Sequence, residues 1–589
     1  AAFFLTVNPS GNNKRFSITV NNVSGNTLAP EPFFIHTLRK NFKDRIHRGL
    51  ALVAGSEYVY SSTYDIGEMW STGDIYPAAP ATAGFSDLFV ATSGPAASVK
   101  AAVAGSSPNG NSANARKYSV DLNNSPVIDT ILNQFDARVN INASVPLSLL
   151  ASNNASFRIN NKSVTPANPN DRIVAGFIEL NYPRQFNFGN QSTFTFSLPA
   201  STSSKYLEIT NFNSGSSVPV LYDLTNLRRI VGDVSASGVV RFVLLPSAVA
   251  SDLVLVSQNI SALKPVSGFQ QRIFTNYNAA ANQGDFMIIT HPSLLTNYSG
   301  ANQVEQYRLY RSSASGGSYN AKVYMIDQLT DQFGYGIKNN PLGIKNFLRY
   351  ARRNYTIAPK FAFLIGKGIT YAEYRENENN PQADRLNLLP TFGYPASDIL
   401  LASNNMEPVM NTLISRLSIL TPQELAEYLD KVKQYEQAQV NATQTIENKA
   451  WMKNVVNVVG ASDAGLDDLL TRYMRSYEAI IEDTLYGAVV TNFNKASTGP
   501  VTPIVSALMS QLFEKGISLL SYFGHSSASS LDYNLNDPAA YNNTGKYPMF
   551  LVSGCNAGNL YSYDTSRFSV LGTLSEKYVL AKNKGAIGF

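Results

Sequence analysis

A chain of 589 residues can fill several domains with large buried cores, so a small peptide-like module is excluded. Only 15 % of it is charged, against roughly 25 % in an average soluble protein, and Ser, Asn, Thr, Gly and 32 Tyr supply the polarity instead, as is typical of exported proteins. The net charge of +5 comes without a Lys/Arg-rich run or a basic helix, which excludes a nucleic-acid partner, and no apolar stretch approaches the roughly 18 residues that span a bilayer.

Residues 1 to 270 alternate short apolar strands with turn residues, as in FRINNKSV, STFTFSL, SVPVLYDLT, GVVRFVLLP and DLVLVS. This pattern predicts an all-β region. The polar stretch GSSPNGNSANA at 105–115 reads as an exposed loop or linker, so a β-rich domain is expected over 1–115 and a sandwich-like one over 116–270. After Gln283 the pattern changes to strongly apolar strands (DFMIIT, AKVYMID, KFAFLIG) alternating with amphipathic helices, which predicts a mostly parallel sheet. Asn340-Pro341 opens the helix NPLGIKNFLRYARR, and Thr421-Pro-Gln-Glu424 is a capping box opening ELAEYLDKVKQYEQ. Further on, WMKNVVNVVGASD leads to helices near 464–483 and 502–515, then to the strands ISLLSYF, MFLVS and GAIGF. Two α/β subdomains are expected, 284–440 and 441–589, the second ending within a strand and so incomplete at its carboxyl end. The opening AAFFLTVNPS lacks Met and a basic n-region, which is expected of a chain that has lost a signal peptide or is a fragment.

Cys555 is the sole cysteine, so no internal disulfide exists and the thiol needs an explanation. A lone Cys is most often a small buried hydrophobe. Its neighbourhood argues otherwise: Cys555 follows MFLVSG and His525 follows ISLLSYFG, each just past the carboxyl end of an apolar strand. In an open parallel sheet those ends form the ligand crevice. The 29 residues between them suffice for a crossover, so neighbouring or next-neighbouring strands would bring thiol and imidazole together, the arrangement nucleophilic cysteine chemistry requires. Gly524, Gly554 and Gly558 allow sharp turns that aim backbone N–H groups at a developing oxyanion. Asp463, past the strand NVVNVV, is a candidate to orient the imidazole, although Asp also favours a helix N-cap. His291 reads as structural. The four histidines are too scattered for a His/Cys metal cluster, and no cofactor is expected; calcium is not readable from the sequence.

Tyr522-Phe-Gly-His525 and Ser553-Gly-Cys555-Asn-Ala-Gly558 resemble the catalytic motifs of the gingipain-type (C25) cysteine peptidases, whose fold is caspase-like. The resemblance extends over roughly 284–589, through DFMIITHPSLL, YMIDQLTDQFGYGIKNNPLGIKNFLRY, KFAFLIG, Gly393-Tyr-Pro-Ala-Ser-Asp398, Ile414-Ser-Arg-Leu417 and DKVKQYE. It implies Cys555 as nucleophile, His525 as general base and acid, and the N–H groups of Cys555 and Ser526 as oxyanion donors. TYDIGEMW, FIELNYPRQF and VLYDLTNL further resemble the amino-terminal region of the surface sortases of the Bacteroidetes type IX secretion system. What that implies is an enzyme outside the outer membrane that cuts carboxy-terminal signals from secreted cargo and passes the new end to a lipopolysaccharide amine. Its partners would be the outer-membrane shuttle and anchoring proteins of that system. The chain departs from the family in having Ser526 where Gly usually follows the catalytic His, Lys367 where an acid is common, and Ser415 in place of Gly. In Arg-specific gingipains the third acidic residue falls at Ser462 or Asp463 and a specificity acid follows on the next helix; here that helix carries Arg472 and Arg475, so a preference for Arg is not supported. A competing reading is a catalytically silent scaffold or adhesin, and a third, a polysaccharide-binding module, rests only on aromatic richness that strands explain equally well.

Overall fold

The structure, a computed structural model, describes every residue except 1–3, 8, 12, 55–56, 61–65, 109–115, 164–169, 267, 405–408, 441–442, 444, 496–502, 534 and 536. Its contacts divide the chain into two units, Phe4–Arg272 and Ile273–Phe589.

In the first unit alternation puts one face of a strand inside, as along Thr193–Leu198, where Phe194, Phe196 and Leu198 are buried and their neighbours exposed. Two sandwich-like cores result. In one, the sheets containing Arg116–Leu122 and Ala97–Gly105 close on Tyr118, Val120, Phe157, Val99 and Ile178. In the other, Phe188 stacks on Phe194 at 4.0 Å among Phe196, Ile209, Phe242 and Leu253. The division expected at 115/116 is not where the chain divides. Ala97–Gly105 pairs with Ala137–Val145, and Ala81–Phe85 pairs with Ala155–Ser163, so pairing crosses that boundary. The polar stretch 105–115 connects two strands of one sandwich, and Arg116, which follows it, is fully buried in an ion pair with Asp171. Residues 109–115 and, of TYDIGEMW, residues 63–65 lie outside the described residues.

The second unit holds two four-stranded, all-parallel sheets. The first is built from β1 (Phe286–Thr290), β2 (Ala321–Met325), β3 (Phe361–Ile365) and β4 (Leu413–Leu417) in the order β2-β1-β3-β4, with helices α1 (Gln303–Ser312), α2 (Ile326–Phe333), α3 (Leu342–Asn354) and α4 (Pro422–Val440). The second contains β5 (Asn454–Gly460), β6 (Val489–Lys495), β7 (Leu519–Gly524) and β8 (Met549–Ser553) in the order β6-β5-β7-β8, with α5 (Ala464–Ile481), α6 (Pro503–Lys515) and α7 (Leu574–Leu580). This is a caspase-like α/β arrangement. All of β1 and all but the first residue of β5 are buried, as strands covered on both faces must be. β8 departs from that expectation: Met549 and Leu551 are 47 % and 60 % exposed, so one of its faces is uncovered by the described residues. The segment GAIGF does not form a full strand; Gly588 makes a single parallel bridge to Met549, with Phe550 N–H donating to Gly588 O at 3.0 Å.

The capping box at α4 is reciprocal, with Glu424 N–H donating to Thr421 Oγ1 (3.3 Å) and Thr421 N–H to Glu424 Oε2 (3.1 Å). Farther along α4, Lys431 is fully buried and donates to the carbonyls of Val579 (2.9 Å), Ala586 (2.8 Å) and Tyr578 (3.3 Å). Burial pulls its ammonium down to about 7, and the carbonyls it grips fasten α4 to the carboxyl end of α7, where the helix dipole favours a cation. Among the described residues no helix is long and apolar enough to cross a membrane.

Candidate active site

β7 and β8 are parallel neighbours, in register from Leu519–Met549 to Phe523–Ser553. β7 ends in Gly524 and β8 is followed by Gly554, and the next residues are His525 and Cys555, so the two residues leave the same end of the sheet from adjacent strands. Both are exposed. The two loops are tied directly, because the Ser526 hydroxyl donates to the Cys555 carbonyl at 2.8 Å. This contact requires glycine at 554: a Cβ there would stand 2.3 Å from Ser526 Oγ. After Cys555 the chain turns through Asn556, whose φ of 59° is left-handed, a conformation Asn tolerates.

The His525 loop is fixed from three sides. Its N–H donates to Gly460 O at the end of β5 (3.0 Å), and its carbonyl accepts from Asp532 N–H (2.9 Å) and from the Tyr522 hydroxyl. Tyr522 is buried in β7, and burial pushes its hydroxyl up to about 12, so it stays a donor throughout the neutral range. Lys495, at the end of β6, donates from Nζ to Asp532 O. Sequence reasoning missed Tyr522 and Lys495 as supports of this loop, because neither carries reactive chemistry and their contacts appear only once β5, β6 and β7 lie side by side.

Ser526 pairs with Leu531 in an antiparallel bridge of the wide, non-hydrogen-bonded kind, since the bonds are made by Ser527 N–H to Ser530 O (2.8 Å) and Asp532 N–H to His525 O (2.9 Å). Among the described residues neither the Ser526 N–H nor the Cys555 N–H donates to another group. The site therefore offers an exposed thiol, an exposed imidazole and two uncommitted backbone donors on one edge.

Asp463 stands three residues past the end of β5, the strand on the other side of β7. Its Oδ1 accepts from Leu466 N–H (2.9 Å), capping α5, and its Oδ2 lies 3.4 Å from Ser462 Oγ. Among the described residues no hydrogen bond links it to His525. Asn caps helices as well as Asp, so Asp463→Asn is expected to shift stability by less than about 0.5 kcal/mol and turnover by no more than a few-fold. A loss of about a thousandfold or more in kcat, with an unchanged melting curve, would identify an orienting carboxylate instead.

His291 caps the short turn Pro292–Leu295, its Nδ1 accepting from Ser293 N–H at 3.1 Å, and it borders a cavity of about 650 Å³ with Lys338, Asp384, Arg385 and Arg567. It belongs to the first sheet, whereas His525 and Cys555 stand on the second. Among the described residues no group of three or more His, Cys, Asp or Glu is placed to hold a metal ion.

No curated protein matches the chain in sequence. Among solved structures it is similar to dimeric latent PorU from Porphyromonas gingivalis, with 13 % identity and a TM-score of 0.45 over 72 % of this chain and 40 % of that one. It is also similar to the Arg-specific cysteine proteinase gingipain R, with 14 % identity and a TM-score of 0.35 over 53 % of this chain and 63 % of that one. The chain thus spans less than two thirds of either relative. Residues 279–589, just over half of the chain and the whole of both parallel sheets, match peptidase family C25. The chain belongs to peptidase family C25, the gingipain-type cysteine peptidases.

Proposed function

We propose that the α/β unit is a cysteine endopeptidase in which Cys555 attacks the peptide carbonyl and His525 first takes the thiol proton and then delivers it to the departing amine. The N–H groups of Cys555 and Ser526 hold the oxyanion. The observation that carries this reading is the pair of adjacent, in-register strand ends that present Cys555 and His525 on one edge, tied by the 2.8 Å bond from Ser526 to the Cys555 carbonyl. A serine in place of glycine after the histidine is compatible with it, because the hydroxyl is engaged with the neighbouring loop and the N–H is left over.

The finer reading is a surface sortase. It rests on the segments FIELNYPRQF and VLYDLTNL in the β-rich unit and on the low charge of the chain. In this reading the substrates are secreted proteins carrying a carboxy-terminal signal, the acceptor is an amine of lipopolysaccharide, the partners are outer-membrane shuttle and anchoring proteins, and the enzyme works on the outer face of the outer membrane. The thioester at Cys555 is resolved by whichever nucleophile reaches it, and a sortase binds its amine so that it attacks at high effective concentration. Incubation with such a cargo and excess glycine is therefore expected to give amine-capped product, detected by mass, beside hydrolysed product, with both lost in Cys555→Ala. Cleavage without any adduct would leave a plain peptidase. Unchanged cargo processing by Cys555→Ala would remove the enzyme and favour the scaffold.

A further inference from the structure

The chain that leaves the Cys555 turn is gripped by the first sheet's connections. Leu560 O accepts from the Lys367 ammonium, Tyr561 O accepts from Thr370 N–H (2.8 Å), the Tyr561 hydroxyl donates to Asp398 Oδ2 (3.0 Å), and Tyr563 N–H donates to Glu373 Oε2 (3.0 Å). All four partners lie in the connection between β3 and β4. Lys367 is the most deeply buried of them, 2 % exposed against 7 % for Thr370, and lies immediately past Gly366 at the end of β3.

A buried ammonium is costly to desolvate unless it is paired, and the pairing here is specific. Lys367 Nζ lies 3.3 Å from Glu576 Oε1 on α7, whose carboxylate also takes Arg567 Nε (3.0 Å), Ser418 Oγ (2.7 Å) and Thr573 Oγ1 (2.8 Å). Arg567 is balanced in turn by Glu424 at 2.7 Å. Two cations and two carboxylates, from the end of β3, from α4, from the turn before α7 and from α7 itself, therefore close a neutral cluster, and among the described residues the one backbone carbonyl that the Lys367 ammonium takes is that of Leu560.

The turn itself is braced internally: Asn559 N–H donates to Asn556 O (2.9 Å) and Leu560 N–H to Gly558 O (2.9 Å). A braced turn passes a displacement of its anchor on to its other end, where Cys555 stands. We propose that Lys367 is a positioning residue for the nucleophile: held by Glu576, its ammonium fixes the Leu560 carbonyl and so sets where Cys555 stands relative to His525. This rests on the reading of Cys555 and His525 as the reacting pair. It also explains the departure from the acid common at this position, since a carboxylate has no proton to give Leu560 O, and here the negative charge is supplied from α7 instead.

The test is Lys367→Met, which keeps the length of the stem and removes the donor, while Glu576 keeps Arg567. With a cargo carrying its carboxy-terminal signal as substrate, kcat is expected to fall by about a hundredfold with KM changed less than about threefold, because a misplacement of an ångström costs that much in a reacting geometry. Lys367→Arg, which keeps charge and donor, is expected to recover most of the loss. A folded Lys367→Met with kcat within about threefold of the parent overturns the proposal, as does an equal loss in Lys367→Arg. If Lys367→Met does not fold, Glu576→Gln, which releases the ammonium but keeps an acceptor beside it, is expected to lower kcat in the same sense, and unchanged kcat overturns the proposal. If the parent does not cleave at all, the peptidase reading has failed separately, and the rate at which iodoacetamide alkylates Cys555 decides instead: no change in Lys367→Met overturns the clamp.

Discussion

In His525→Ala, turnover is expected to fall by about four orders of magnitude or more, and alkylation of Cys555 at about pH 6 to 7 to slow to the rate of an ordinary exposed thiol. In the proposed mechanism the imidazole has two tasks, generating the thiolate and protonating the leaving amine, so its loss affects both acylation and the expulsion of product. Fold and substrate binding are spared, because His525 is exposed and the bonds that hold its loop come from its backbone N–H and carbonyl, which alanine keeps. Steady-state cleavage, a melting curve and timed alkylation on the same preparation check this. A variant that keeps turnover within tenfold of the parent would mean that His525 is not the base.

Gly524→Ala is expected to damage both stability and activity. A Cβ at 524 would stand 2.1 Å from Gly460 O and 2.8 Å from Gly460 Cα, backbone atoms of the paired strand that cannot turn aside. The ends of β5 and β7 must then separate, breaking the bond from His525 N–H to Gly460 O that aims the imidazole. Overpacking of this kind costs about 1–3 kcal/mol, more when the neighbour is backbone, and a hydrogen bond worth about 1 kcal/mol goes with it. A lowered denaturation midpoint together with at least a hundredfold loss of kcat is the expected pair of results. Gly558→Ala is the matched control, since a Cβ there meets nothing within 4 Å. If both variants behave like the parent, the strand ends are more pliant than their spacing implies.

The strands and helices that carry the site are legible in the sequence for physical reasons. NVVNVV and ISLLSYF are apolar runs bounded by glycine, and Asp463 and Thr421 open helices by the chemistry of their side chains, so β5, β7, α4 and α5 fall close to their expected places. That His525 and Cys555 follow strands placed side by side is legible from the strand ends alone. β6 is different: VVTNFNK mixes polar and apolar residues because it lies at the sheet's edge, and such a segment carries no strong period. The division at 115/116 went astray because a polar, glycine-rich stretch looks alike whether it joins two domains or two strands. The supports of the site, Tyr522, Lys495 and the buried ions around Lys367, were illegible for a third reason: their meaning lies in partners far along the chain.

That distance carries an entropic cost. His525 and Cys555 follow neighbouring strands and stand 30 residues apart, whereas the contact from Lys367 to Leu560 closes a loop of 193 residues. Closing a loop about six times longer costs about 1.6 kcal/mol more chain entropy, which the bonds docking the Cys555 turn on the first sheet's connection must outweigh.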